Sequence, residues 1–180
     1  KLIKAQRNDV EFQLLGAIDS GNPSGVPQSV VEDAVSNGFI NYLGTTSDVL
    51  PIIREADCMV LPSYREGISR VLMEAASMEK PIIATNVTGC REVINDGETG
   101  FLCKVKSPVD LAHKMAKIIN MTEKEKVVMG QKGRVKVIEE MDLEKIIDIY
   151  DYKIAAVLGE EEGITVDLQE LISLRKTKKI

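Results

Sequence analysis

One hundred and eighty residues with 44% apolar and 28% charged side chains are ordinary globular usage for about one domain, which excludes disordered, collagen-like and disulfide-scaffold classes. A net charge of −5, from 23 basic and 28 acidic groups, together with 4% aromatics supplies neither a phosphate-neutralising field nor a stacking platform, so no nucleic-acid partner is expected. No apolar stretch approaches the roughly 20 residues of a bilayer span and no leader opens the sequence, so a cytoplasmic location is the expectation.

The first half alternates two periodicities. Short apolar runs at Phe12–Ile18, Ile40–Leu43, Cys58–Leu61 and Pro81–Ala84, bounded by Gly, Pro, Asn or Asp, predict buried strands. Between them, Leu50, Ile53 and Ala56, and then Ile68, Val71, Leu72, Ala75 and Met78, recur at helical spacing. Strand alternating with helix predicts an α/β fold of Rossmann-like type, a parallel sheet with helices on both faces and ligands at the carboxyl ends of its strands. A last strand, Gly100–Cys103, follows the turn signal Asn95-Asp96-Gly97, and helices are predicted over Val109–Ile119, Glu123–Glu140 and Leu143–Leu158. Ser107-Pro108 offers an N-cap with a first-turn proline, and Thr122 with Glu125 a capping box. Leu143, Ile146, Ile147, Tyr150, Ile154 and Leu158 share one stripe of the last helix.

Residues 159–180 differ: Glu160-Glu161-Glu162, an apolar pattern of Leu168, Leu171, Ile172 and Leu174, then Arg175-Lys176-Thr177-Lys178-Lys179. A frayed terminal helix with solvated charges is the main reading, and docking to a partner or to a membrane surface, such as the inner face of the cell membrane, the second. Cys58, Cys90 and Cys103, odd in number and accompanied by one histidine, His113, are expected to be reduced, partly buried thiols without a metal.

Chemistry concentrates in Pro62-Ser63-Tyr64-Arg65-Glu66-Gly67-Ile68-Ser69-Arg70-Val71-Leu72-Met73-Glu74. A strand ends at Pro62 and a helix is predicted to open near Ile68, so backbone amides face outward at a strand's carboxyl end, where a diphosphate fits. Glu66 and Glu74 bracket those amides; eight residues at about 1.5 Å of helical rise span roughly 12 Å. Carboxylates accept well from vicinal hydroxyls, and a nucleotide sugar carries such hydroxyls on its sugar and on its ribose, either side of the diphosphate. On spacing alone, Glu66 as an ordinary loop acid and Glu74 as an ordinary surface residue is the competing reading.

The stretch from Ala56 to Cys103, with PS-x-x-EG, two glutamates separated by seven residues, KPIIAT, TGCRE and DGETGFL in that order, resembles the carboxyl-terminal half of family 4 glycosyltransferases, retaining enzymes of the GT-B fold. The similarity extends more weakly over Val10–Gly44 and Pro108 to about Leu158. The resemblance implies that Glu66 positions the donor sugar, that Gly67, Ile68 and Ser69 line the sugar and diphosphate, and that Glu74 binds the ribose. It also implies that Val71 packs beside the nucleoside and that the Gly44-Thr45 turn holds the base. Ser69-Arg70 with Gly89-Cys90-Arg91-Glu92 looks most like bacterial enzymes of capsular and surface polysaccharide synthesis, so a UDP-sugar is the implied donor and a saccharide, plain or lipid-linked, the implied acceptor. No further cofactor and no metal are implied.

Two departures stand out. Glu79 occupies the place where the family usually has glycine before Lys-Pro, a position that favours positive φ. The family's diphosphate-clamping Arg and Lys, and an amino-terminal half that carries the acceptor surface and commonly a catalytic histidine, have no counterpart; Arg65 and Arg70 are the nearest cations, with a solvated-face role equally open to each. His113 is expected to be an ordinary helical histidine. The implied organisation is a donor domain over 1–158, an extension over 159–180 and a separate amino-terminal acceptor domain as partner, with little transfer by the fragment itself. A nucleotide-sugar epimerase on the same scaffold and a noncatalytic nucleotide-binding module are the alternatives. A nicotinamide dehydrogenase is disfavoured, because Leu14-Leu15-Gly16-Ala17-Ile18-Asp19 lacks the three-glycine fingerprint.

Overall fold

The computed structural model of the chain describes residues 1–19, 21 and 25–162, which excludes the apolar and basic pattern at 168–179 considered above. The elements in order are β1 (Gln13–Leu15), α1 (Gln28–Ser36), β2 (Asn41–Gly44), α2 (Leu50–Glu55), β3 (Met59–Leu61), α3 (Arg70–Ser77), β4 (Ile82–Thr85), α4 (Thr88–Val93), β5 (Gly100–Cys103), α5 (Pro108–Asn120), α6 (Glu123–Glu140) and α7 (Leu143–Glu162). The described residues up to 135 form one compact unit, and those from 136 to 162 belong to a second.

All strand pairings are parallel, as the βα alternation requires, yet the strands form two sheets rather than one: β1–β2, and β3–β4–β5. The crossover from β2 through α2 delivers β3 to β4 and not to β1, so β1 and β3 are each an edge among the described strands. Coverage differs accordingly: every residue of β4 is buried, whereas Gln13 and Leu14 of β1 are exposed. The predicted strand over Phe12–Ile18 shrinks to the three residues Gln13–Leu15, with a register slip between Leu14 and Leu15 and Gly16 following at φ 145°.

The core of the first unit is built on β4. Ile83 packs with Ile118 of α5 and Met129 of α6, joined by Val60, Phe101, Leu111 and Met115. On α3, Leu72, Ala75 and Ala76 are buried at the spacing of one helical face. Burying a side chain such as Leu72 stabilises by about 1.5–3 kcal/mol.

The capping signals operate as their residue types dictate. The Ser107 hydroxyl accepts from the Asp110 amide at 3.3 Å, ahead of Pro108. Thr122 and Glu125 cap reciprocally: the Thr122 amide donates to the Glu125 carboxylate at 2.7 Å and the Glu125 amide to the Thr122 hydroxyl at 3.3 Å, and these bonds hold the Glu125 carboxyl below its ordinary range.

In the second unit, Asp142 opens α7 by accepting from the Glu144 amide at 2.8 Å. Of the predicted stripe on this helix, Leu143, Ile146, Tyr150 and Ile154 are exposed. No helix among the described residues is long and apolar enough to cross a membrane.

Candidate functional site

Because β3, β4 and β5 run in one direction, the loops after them share one edge of their sheet. The loop after β3 carries Glu66 and Gly67 and ends at Ser69. The helix opens two residues later than its apolar spacing predicts: Ser69 keeps extended backbone (φ −79°, ψ 112°) as the N-cap of α3, and Arg70 is the first helical residue. Only the segment from Arg70 to Glu74 is therefore helical, and the 12 Å helical spacing does not apply to the whole stretch from Glu66 to Glu74. The Ser69 side chain makes no capping hydrogen bond. The first-turn amides of α3 thus lack a side-chain acceptor among the described residues and, with the helix dipole behind them, suit an anion.

Two contacts that local sequence does not announce position this loop. The Thr85 hydroxyl, at the carboxyl end of β4, donates to the Ser63 carbonyl, and Thr85 is buried. Gly89, in the first turn of α4, lies directly under the loop: a Cβ there would meet the Gly67 carbonyl oxygen at 1.6 Å and the Glu66 carbonyl oxygen at 2.7 Å. The loop rests on bare backbone that no other residue type leaves open. Arg91 braces the approach to α4, donating to the Asn86 side chain at 3.0 Å and to the Thr88 hydroxyl at 3.2 Å.

The bracketing carboxylates have different surroundings. Both are half-buried. Glu66 has no hydrogen bond or ion pair among the described residues, and its charge joins burial in pushing the Cys90 thiol above the ordinary range. Burial is the larger cause there, as it is for Cys103. Glu74 receives the Arg70 Nε at 2.9 Å. Ile68 is exposed, Ser69 is buried, and Val71 is half-buried on α3.

The structure brings Glu66, Gly67, Ile68, Ser69, Val71 and Glu74 onto one loop and helix, but Gly44 ends β2 in the other sheet and Thr45 follows it. There the Gly44 carbonyl accepts from the Gly16 amide at 2.8 Å, tying the ends of β2 and β1. No hydrogen bond among the described residues links that turn to Glu74. His113 is exposed and lies elsewhere, in a groove of about 500 Å³ with Gly97, Phe101, Lys117 and Glu125. The three cysteines are free thiols; Cys90 and Cys103 are buried, and burial raises Cys58 to about 12. Among the described residues no cluster of His, Cys, Asp and Glu could hold a metal ion.

The sequence pattern described as Glycosyl transferases group 1 matches residues 1–121, and the chain belongs to that family. Its parallel α/β architecture is that of GT-B glycosyltransferases. The capsular polysaccharide biosynthesis glycosyltransferase CapM of Staphylococcus aureus is 28% identical over 163 residues, covering 91% of this chain and 42% of that protein. The N,N'-diacetylbacillosaminyl-diphospho-undecaprenol alpha-1,3-N-acetylgalactosaminyltransferase of Campylobacter jejuni is 29% identical over 113 residues, 63% of this chain and 29% of that one. Among solved structures, Anabaena Alr3699/HepE in complex with UDP matches with a TM-score of 0.76 at 20% identity, covering 86% of this chain and 43% of the other, a likeness that establishes the fold. The chain spans less than half the length of these relatives.

Proposed function

We propose that residues 1–158 are the donor-binding half of a retaining glycosyltransferase that moves a sugar from a UDP-sugar to a saccharide, plain or lipid-linked, in bacterial polysaccharide synthesis. The observation that carries the reading is the loop from Pro62 to Ser69, held by Thr85 and Gly89 so that Glu66, without a partner among the described residues, and the helix-borne Glu74 lie either side of amides that no described side chain caps. Family membership supports the reaction class, the capsular relative supports polysaccharide synthesis, and the UDP-bound neighbour supports the nucleotide.

In this reading the diphosphate meets the first-turn amides of α3, whose dipoles stabilise the charge that develops on the departing phosphate. Glu66 orients hydroxyls of the transferred sugar, and Glu74 accepts from the ribose. Val71 lies beside the nucleoside, and the Gly44-Thr45 turn meets the base. The acceptor surface and remaining catalytic groups come from an amino-terminal half of the longer enzyme, so this chain binds donor but transfers little. Working at the inner face of the membrane, with 159–180 as an appendage to the donor domain, is part of the same proposal.

Calorimetric titration tests the role of each carboxylate. Glu74→Ala is expected to weaken UDP and UDP-glucose alike, whereas Glu66→Ala weakens UDP-glucose and spares UDP. The opposite ordering, or a wild-type chain that binds neither compound, overturns the assignment. Release of UDP coupled to sugar transfer by the longer enzyme separates transferase from epimerase.

A further inference from the structure

The Arg70–Glu74 pair joins two parts of the site that the donor reading treats separately. Arg70 is the first residue of α3, and its Nε donates to the Glu74 carboxylate at 2.9 Å. An i to i+4 pair shares one helix face, so the guanidinium lies over the first turn, beside the carboxylate. Glu74 is 23% exposed and Arg70 88% exposed. The terminal Nη1 and Nη2 groups have no acceptor among the described residues, although a guanidinium is built to give two parallel bonds to an oxyanion. A solvent-exposed pair of this kind contributes little to stability, and the free edge of the fork faces solvent, open to a ligand.

We propose that Arg70 is a specificity-determining residue for the nucleotide: its Nε orients Glu74 toward the ribose while Nη1 and Nη2 bind the phosphate attached to that ribose. This rests on the donor-site reading above and adds a reader for the junction between nucleoside and diphosphate. A ligand running from the uncapped amides to Glu74 passes the guanidinium on its way. One side chain thereby couples the ribose contact to the phosphate contact, and a nucleoside without phosphate forfeits the second. Lysine is a poor replacement, since one ammonium cannot hold the carboxylate and present a planar fork together.

The test is calorimetric titration of the 180-residue chain with UDP and with uridine, in wild type, Arg70→Ala, Arg70→Lys and Glu74→Ala. The ratio of UDP to uridine affinity is expected to fall about tenfold in Arg70→Ala, the scale of a charge-assisted hydrogen bond to phosphate, with uridine itself changing about threefold or less. Arg70→Lys is expected to restore less than half of that loss on a logarithmic scale. A ratio unchanged in Arg70→Ala overturns the proposal, and full recovery by lysine overturns the fork. UDP binding that is lost in Glu74→Ala but indifferent to Arg70 removes this proposal and leaves the donor site standing. A wild-type chain that binds neither probe removes both.

Discussion

Replacing Glu79 by glycine should stabilise the chain, and the structure supplies the magnitude. Glu79 has φ 60°, left-handed backbone that an L-residue with a Cβ occupies at a cost of about 1–2 kcal/mol. The conformation is imposed by the end of α3, where the Glu79 amide donates to the Ala76 carbonyl at 2.9 Å and the Lys80 amide to the Ala75 carbonyl at 3.0 Å, a Schellman arrangement that wants glycine between. Helix α6 adds a second constraint, since its Gly130 lies where a Cβ would stand 1.8 Å from the Glu79 carbonyl oxygen. Glycine at 79 removes the strain but frees the unfolded chain, an entropic loss of roughly 0.5–1 kcal/mol, so the net gain is about 0.5–1 kcal/mol. The carboxylate given up lies 3.8 Å from Arg134, both side chains nearly half-exposed, and Arg134 keeps its bond to the Ser77 carbonyl, so that loss is small. At about 2–4 °C per kcal/mol for a chain of this size, Tm should rise by about 1–4 °C in a circular-dichroism melt. Glu79→Ala, which keeps the Cβ and drops the carboxylate, is the control and should show no gain. A Tm that falls in Glu79→Gly, or rises equally in Glu79→Ala, refutes the argument from backbone strain.

Gly89→Ala forces the Glu66–Gly67 loop to retreat by at least 1.4 Å, from 1.6 Å to the 3.0 Å that real Cβ contacts respect; it should cost about 1–3 kcal/mol in denaturant unfolding and weaken UDP-glucose more than UDP. Unchanged UDP-glucose affinity would show that the loop does not depend on this support. Burial raises the Cys58 thiol to about 12 from 9.0, so above pH 9 the unfolded chain ionises this thiol while the folded chain retains the proton. Stability is full below pH 9 and declines as pH rises toward 12; Cys58→Ala should flatten that alkaline slope, and an identical slope in both proteins rules the thiol out as its source. The Glu125 carboxyl is lowered by its bonds to Thr122, so its contribution is present above its ordinary value of 4.5 and lost as pH falls through the folded-state value. Glu125→Gln should therefore melt with a shallower acid dependence, and a steeper one contradicts the capping-box assignment.

How far these features are visible in sequence depends on the range of the interactions that make them. The span of α6 is read to the residue because its start is a local device, Thr122 with Glu125, and β5 because Asn95-Asp96-Gly97 punctuates the chain before it. The six-residue helix α4 escapes the apolar-period reading: its Thr88-Gly89-Cys90 opening has poor helix propensity, and burial of Cys90 and Val93 against the rest of the fold sustains it. The nine-residue α1 escapes too, its apolar stripe short and Val31 its one buried member. Division of the strands into two sheets is equally invisible, because period and turn signals specify strands and not their neighbours. Glu66 and Glu74 enter the candidate site through the family resemblance, since spacing alone leaves both open as an ordinary loop acid and an ordinary surface residue. Thr85 and Gly89 are not legible, since they act on Ser63 and Gly67 across 22 residues of sequence, and no pattern within either segment reveals the partner.

The unequal support of the two carboxylates has a consequence for donor choice. Glu74 is fixed by a helix whose opposite face buries Leu72, Ala75 and Ala76, and it is further held by Arg70, so moving it means disturbing the core. Glu66 belongs to a loop fixed at points of backbone, the Ser63 and Gly67 carbonyls, while its own side chain has no hydrogen-bond or ion-pair partner among the described residues. Backbone tethers constrain where Glu66 starts and leave its rotamers free. In the proposed pose the nucleotide end is therefore rigid and the sugar end adaptable. In that pose a change of sugar can be made in what surrounds Glu66, whose side chain is not built into the core, whereas a change at the nucleotide end must be made on α3 against the packing of Leu72, Ala75 and Ala76.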